Sequence, residues 1–329
     1  MLITYNHFDF IKRSLQSICS QKTSFSFNCI IADDCSSDGS INIISEYISK
    51  FPKIFSHIKR EYNLGKFSGG NGRYNGLHAY SLAKSKYIAV LDGDDYWTDP
   101  HKLQKQVDYL EANQECSICT HWVKTKDESG QGIHEDAFAS INVKNPLSKD
   151  DLFINDNQSP AGTAYHPLSW MFRSKLVQSI PDWIFPIRGG DDVLFTEFIQ
   201  HGYCHCIPEF MGTYRINKKS SWAPLHTRTK SLAQLHFLHR VKMHYPIYKE
   251  KVIILIKKQL NDWKNWPAKT NENLIILKQL ILICKKDLRV SIPMVIFCIK
   301  VWAHQLYFNS LSIVRISLGK WKSKFSHTI

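Results

Sequence analysis

Asp92, Gly93, Asp94 and Asp95 put three carboxylates into four positions, directly after the apolar run Tyr87 to Leu91. A helical period opens near Asp99-Pro100, so a strand runs into an acidic corner and a helix leaves it. Hard divalent cations prefer oxygen ligands, and Mg²⁺ keeps coordination positions for substrate phosphates. The corner therefore suits a metal that grips a diphosphate; the same residues also suit an ordinary Asp-rich turn. A second acidic turn, Asp33-Asp34-Cys35-Ser36-Ser37-Asp38, follows the run 26–32 and carries helix-cap chemistry. A third pair, Asp191-Asp192, follows Gly189-Gly190 at the start of a helical pattern, where the helix dipole favours carboxylates in any case.

These groups need a scaffold that brings strand ends together. Residues 2–5 read as a very short first strand, 8–20 as a helix with Phe10, Ile11, Leu15 and Ile18 on one face, and 26–32 as a strand. Residues 40–50 read as a helix, 54–60 as a strand, 65–72 as a Gly-rich loop and 73–84 as a helix. A strand at 87–91, a helix at 100–113 and a strand at 117–125 follow. Alternating strands and helices predict an α/β sandwich with a largely parallel sheet, whose ligand lies beyond the carboxyl ends of the strands. Both acidic turns, 33–38 and 92–95, fall at such ends. Residues 126–160 read as an irregular, mobile insertion, 168–172 as a strand, 173–179 as a short helix, 193–201 as a helix and 203–216 as two short strands. From about 225 the pattern changes to helices with basic faces.

The chain of 329 residues, 43% hydrophobic and 22% charged, is globular in composition and long enough for a full core. Its net charge of +13 is unevenly placed. Residues 240–329 hold 17 Lys and Arg against 4 Asp and Glu, so they carry the whole excess. That predicts an anionic partner for the C-terminal part, whether membrane surface, nucleic acid or acidic polymer. Apolar helix-like stretches at 252–260, 274–284 and 292–318 are broken by Lys and Arg, with Trp263, Trp266, Trp302 and Trp321 among them. This suits either the interface of an anionic bilayer or a helical subdomain with solvated lysines. No recognised nucleic-acid reading motif is present, and nucleic acid is not expected as a partner. No apolar run approaches the ~20 residues of a membrane span. Nine cysteines lack framework spacing; Cys116, Cys119, Cys204 and Cys206 could be combined into a zinc site, but both pairs read as buried strand residues. With no signal-peptide pattern at the start, a cytoplasmic location is expected.

Thr4-Tyr5-Asn6, the stretch 17–40, the stretch 87–113, Gly189-Gly190-Asp191-Asp192 and Met211 to Asn217 together resemble the inverting glycosyltransferases of family 2, with the GT-A fold. The likeness covers residues 1–222. It implies a nucleotide-sugar half over about 1–125, an acceptor half over about 126–222, and a basic helical region at 223–329. By resemblance, Tyr5 lies against the nucleotide base, Asp34 hydrogen-bonds a uracil or thymine edge with Asp33 supporting the turn, and Arg73 touches nucleotide or phosphate. Asp92-Gly93-Asp94 is the family's DXD motif; Asp92 and Asp94 meet the ribose and metal region, and Asp95 ligates the metal. Asp191 takes the acceptor proton, with Asp192 beside it as the alternative. The cofactor implied is Mn²⁺ or Mg²⁺, and the acceptor a glycan or lipid-linked glycan of surface-polysaccharide synthesis. Such an enzyme would work on the inner face of the cytoplasmic membrane.

Two departures from the family pattern stand out. Only Met1, Leu2 and Ile3 precede Thr4, where the family's first strand is longer. Asn217 stands where Tyr-Arg-x-His would place a histidine. They motivate the alternative of a catalytically impaired nucleotide-binding or scaffold protein. His166, before Pro167, either reaches the acceptor or is structural.

Overall fold

The computed structural model describes residues 1–67, 73–127, 144–153, 165–184, 191–216 and 227–264, together with the backbone of 133–138. They form two compact units, the first holding everything through Ile216 and the second the helices from Thr227 onward.

The first unit opens with β1 (Leu2–Thr4), α1 (Phe8–Cys19), β2 (Cys29–Asp33), α2 (Ser40–Lys50) and β3 (Phe55–His57). The helices α3 (Leu64–Phe67) and α4 (Arg73–Ser81) follow, then β4 (Tyr87–Ala89), β5 (Leu91–Asp92) and β6 (Tyr96–Trp97). A four-stranded parallel sheet runs β3-β2-β1-β5, with Leu2 opposite both Ile31 and Leu91. α1 covers it: Ile11, Leu15 and Ile18 are buried with Leu2, Ile31 and Leu91, while Phe10 remains half-buried. An amphipathic stripe of this kind is what removes a helix face from water.

The second sheet is mixed. It contains β4, β6, β7 (Cys116–Asp127), β8 (Ile133–Phe138), β9 (Met171–Arg173) and β10 (Tyr203–Ile216), in the order β4-β9-β7-β10-β6 with β8 on β7. β10 runs parallel to β7, and the other pairings are antiparallel. α5 (Lys102–Ala112) and α6 (Asp191–Phe198) complete the unit.

Three expectations are corrected. The run 87–91 is two strands in two sheets: Val90 turns away to donate to Trp170 O, leaving β4 on β9 and β5 on β1. Residues 203–216 form one strand, because bulges at 207–212 let a single chain follow β7 along its length. The stretch 133–138, read as irregular, pairs with β7. Within the second unit, α7 (Thr227–His244) and α8 (Lys249–Lys264) pack together, and Gln259 of α8 donates to the Ser231 carbonyl. No helix among the described residues is long and apolar enough to cross a membrane. The stretches 274–284 and 292–318, with Trp266, Trp302 and Trp321, lie outside the described residues, as does Asn217.

Candidate active site

The two acidic turns meet at the carboxyl ends of β1, β2 and β5. Asp34 N–H donates to Thr4 O at 2.9 Å, and Gly93 N–H donates to Ile3 O at 2.8 Å, so β1 carries one turn on each side. Gly93 is required by the approach: a Cβ there would stand 2.4 Å from Thr4 Oγ1 and 2.7 Å from His7 Nδ1. Asn6 adopts a left-handed φ of 54° and ties β1 to the first turn: its Oδ1 accepts from Ser37 N–H and its backbone N–H donates to Ser36 Oγ. Tyr5, next to it, is half-buried.

The first turn consumes its carboxylates. Asp33 accepts from the Ser36 amide and hydroxyl. Asp34 is buried and accepts from Leu64 N–H at 2.7 Å and Gly65 N–H at 2.8 Å, one amide on each oxygen. Asp38 accepts from Phe8 N–H at the start of α1 and from Ser40 at the start of α2.

The second turn leaves its carboxylates crowded. Asp95 is 1% exposed; its Oδ1 accepts from Arg215 N–H at 2.8 Å, while its buried Oδ2 has no hydrogen-bond partner. Burial, then the charges of Asp94 and Asp92, push the Asp95 carboxyl well above the usual range against a weaker pull from Arg215. Burial, then Asp94 and Asp191, do the same to Asp92. Asp94 is buried, with His7 Nε2 at 3.7 Å from its Oδ2. An orphaned carboxylate oxygen among like charges fits a cation: bound positive charge would reverse the repulsion that raises these groups. No group of three ligating side chains among the described residues could hold a metal alone. The oxygen donors therefore suit an ion that takes one or two carboxylates and completes its shell with phosphate oxygens and water.

Asp191 and Asp192 open α6, and Asp191 shares the field of the corner through Asp92. Arg73, at the start of α4, donates to Ile184 O at 2.7 Å and interacts with both carboxylates. Burial pulls its guanidinium down to about 10, against the attraction of Asp191. Burial pushes the Asp191 carboxyl up, opposed by Arg73; burial, then the charge of Asp191, pushes Asp192 to about 7, against Arg73. By surface area Asp191 is exposed and Asp192 half-buried, so solvent limits both shifts. Asp92, Asp94, Asp95, Asp191, Asp192 and Arg73 are thus brought together, with Tyr5 and Asp34 on the neighbouring strand ends. His166 is half-buried, its Nδ1 accepting from Leu168 N–H and its ring 4.3 Å from that of Tyr214; burial lowers its pKa to about 3.

Sequence reading missed His7, Arg13 and Arg215. The Arg215 guanidinium lies 4.7 Å over the Tyr96 ring and 5.3 Å over Phe10, and that of Arg13 lies 3.9 Å over Tyr96. Two cations therefore flank the corner, held by ring faces. The signal for Arg215 was present in Tyr214-Arg215-Ile216-Asn217. The four central cysteines are buried on β7 and β10; burial raises each thiol's pKa, so they stay protonated and apolar.

Against known proteins, the sequence model described as glycosyl transferase family 2 matches residues 1–180. An uncharacterized protein of Mycobacterium tuberculosis is 32% identical over 225 residues, 68% of this chain and 60% of that protein. The chain thus spans about 60% of the length of this relative. TuaG of Bacillus subtilis, whose name assigns it provisionally to teichuronic acid biosynthesis as a glycosyltransferase, is 32% identical over 247 residues, 71% of this chain and 88% of TuaG. Among solved structures, S. aureus TarS 1-349 in complex with UDP-GlcNAc matches with a TM-score of 0.59 and 14% identity, over 85% of this chain and 78% of that one. At that identity the likeness is one of fold, the GT-A arrangement of a parallel sheet with flanking helices.

Proposed function

Because the chain belongs to glycosyl transferase family 2, we propose that it moves a sugar from a nucleoside-diphosphate sugar, UDP- or dTDP-linked, to a hydroxyl of a glycan or lipid-linked glycan in surface-polysaccharide synthesis. Residues 1–222 form the catalytic region, with the donor held by about 1–125 and the acceptor by 126–222. The observation that carries the reading is Asp95, whose second oxygen is buried without a partner among Asp92 and Asp94. TuaG and TarS point the same way by name and ligand.

Asp94 and Asp95 would hold Mg²⁺ or Mn²⁺, which supplies Lewis-acid stabilisation of the departing diphosphate. Tyr5 and Asp34 bound the base subsite, with Asp34 fixing the loop 63–65 through its two amides; Asp92 faces the ribose. Arg73 orients and balances Asp191. The acceptor hydroxyl is a poor nucleophile, so Asp191 takes its proton as the oxygen attacks the anomeric carbon, and the carboxyl's raised pKa makes it a stronger base. A single displacement by the acceptor inverts that carbon, and no enzyme nucleophile takes part. The net positive charge of the C-terminal part supports a peripheral position on an anionic membrane surface.

A thermal-shift series with UDP, dTDP, GDP and CMP, each with Mn²⁺, Mg²⁺ or EDTA, tests the reading, since a ligand of the folded state raises the melting temperature. A shift for one diphosphate that requires metal is expected. No shift with any of them, alongside a normally folded protein, would replace this reading by the impaired scaffold.

A further inference from the structure

The second unit carries exposed apolar side chains interleaved with lysines. Among the described residues seven large apolar side chains are exposed, and the three most exposed lie within twelve positions: Met243 at 62%, Ile247 at 59% and Ile254 at 64%. On α8, Val252, Leu255 and Ile256 are buried, whereas Lys251, Ile254 and Lys258 are exposed. Ile254 comes three residues after Lys251 and four before Lys258, so the three share one helix face. Ile247 lies four residues ahead of Lys251, in the 3₁₀ turn Pro246–Tyr248 that feeds α8. The buried Tyr248 anchors that turn, and the Gln259 contacts with Ser231 and Gln234 engage α7. The outward stripe thus alternates isoleucine and lysine.

We propose that Ile247, Lys251, Ile254 and Lys258 are the face on which this unit docks to an anionic lipid bilayer. The proposal rests on the peripheral-membrane reading above and says where the contact is made. Charge selects the occupant: Arg240 to Lys264 holds seven Lys and Arg against two Asp and Glu. A protein partner fits less well, because the buried centres of protein interfaces are depleted in lysine. Nucleic acid would engage the lysines but gives no return for two isoleucines held in water. A bilayer takes both: the apolar side chains enter the acyl boundary, and the lysine stems follow them with their ammonium groups at the phosphates.

The test is cosedimentation of the full chain with neutral phosphatidylcholine vesicles and with vesicles containing 30% phosphatidylglycerol, at about 0.1 M salt where surface charge still acts. The wild type should prefer anionic vesicles by at least about tenfold, and Ile247→Ser/Ile254→Ser and Lys251→Glu/Lys258→Glu should each lose about tenfold or more. Any metal-dependent nucleotide shift should persist in both, since neither pair is among the residues assigned to donor or metal binding. Wild-type vesicle binding that both variants retain would overturn the stripe while leaving membrane association intact. No vesicle binding by the wild type, or salt-sensitive binding to an RNA oligonucleotide in its place, would overturn both.

Discussion

Asp33-Asp34 and Asp94-Asp95 stand at the ends of two strands that flank β1, yet their carboxylates meet opposite fates. Asp33, Asp34 and Asp38 spend their oxygens on the chain itself: a turn, two loop amides and two helix starts. Asp92, Asp94 and Asp95 are packed against one another with one buried oxygen left over. Folding alone does not favour the second arrangement, because an unpaired buried carboxylate is costly. It persists where a ligand completes it. Residue type therefore marks a strand-end turn, and hydrogen-bond completion separates scaffold from site.

The largest break in this comparison comes from Asp95→Asn, which keeps shape and the Arg215 contact but removes a charge. Transfer should fall by about 1,000-fold, the scale on which single electrostatic contacts act, while the protein melts no lower than the wild type. Near-normal transfer in an initial-rate assay would take Asp95 out of the site. Asp34→Ala should do the reverse to stability. One buried and one half-buried amide lose their carboxylate acceptor, a loss of about 2–3 kcal/mol, read as roughly 5–10 °C in melting temperature. An unchanged melting temperature would mean that the loop 63–65 does not depend on Asp34.

Much of this was legible in the residues. The order of strands and helices, and the acidic corner's position, followed from apolar runs broken by Asp and Gly. What was not legible depends on contacts far apart in the sequence. Nothing in the run 87–91 says that Val90 leaves β1's sheet for Trp170. Asp33 and Asp34 look equivalent until residues 64 and 65 arrive. Lys102, an unremarkable first-turn lysine, is fully buried 4.0 Å over the Trp97 ring, and burial pulls its pKa to about 7. Arg215 reaches Asp95 across 120 positions.

Asp192→Asn sharpens the comparison at the third carboxylate pair. A base must be ionised to act, so kcat/KM should fall as pH drops through the apparent pKa of the coupled Asp191–Asp192 pair. Asp192 is pushed to about 7, so the acid limb should lie above the usual carboxylate range. Removing the Asp192 charge should move the limb down by about one unit. A limb that stays in place would show that Asp192 does not repel the base.

The smallest effect tests the sign of the whole contrast. Burial pushes the Asp38 carboxyl up, but hydrogen bonds from the Ser40 hydroxyl and the Phe8 and Ser40 amides outweigh it, and the net pKa is lowered. A carboxylate held low stabilises the fold above its unfolded pKa of 3.8, and that contribution disappears as pH falls through the lowered value. Asp95, held high, has the opposite linkage: its ionised form burdens the fold, increasingly as pH rises from 3.8 toward its folded pKa. Asp38→Ala should therefore cost about 1 kcal/mol at pH 7, the usual worth of a helix cap at an exposed site, and the difference from wild type should shrink toward pH 3. Asp95→Asn should gain over wild type from pH 4 to pH 7. Denaturant titrations at the three pH values read both trends, and parallel trends for the two variants would erase the distinction between the spent turn and the open one.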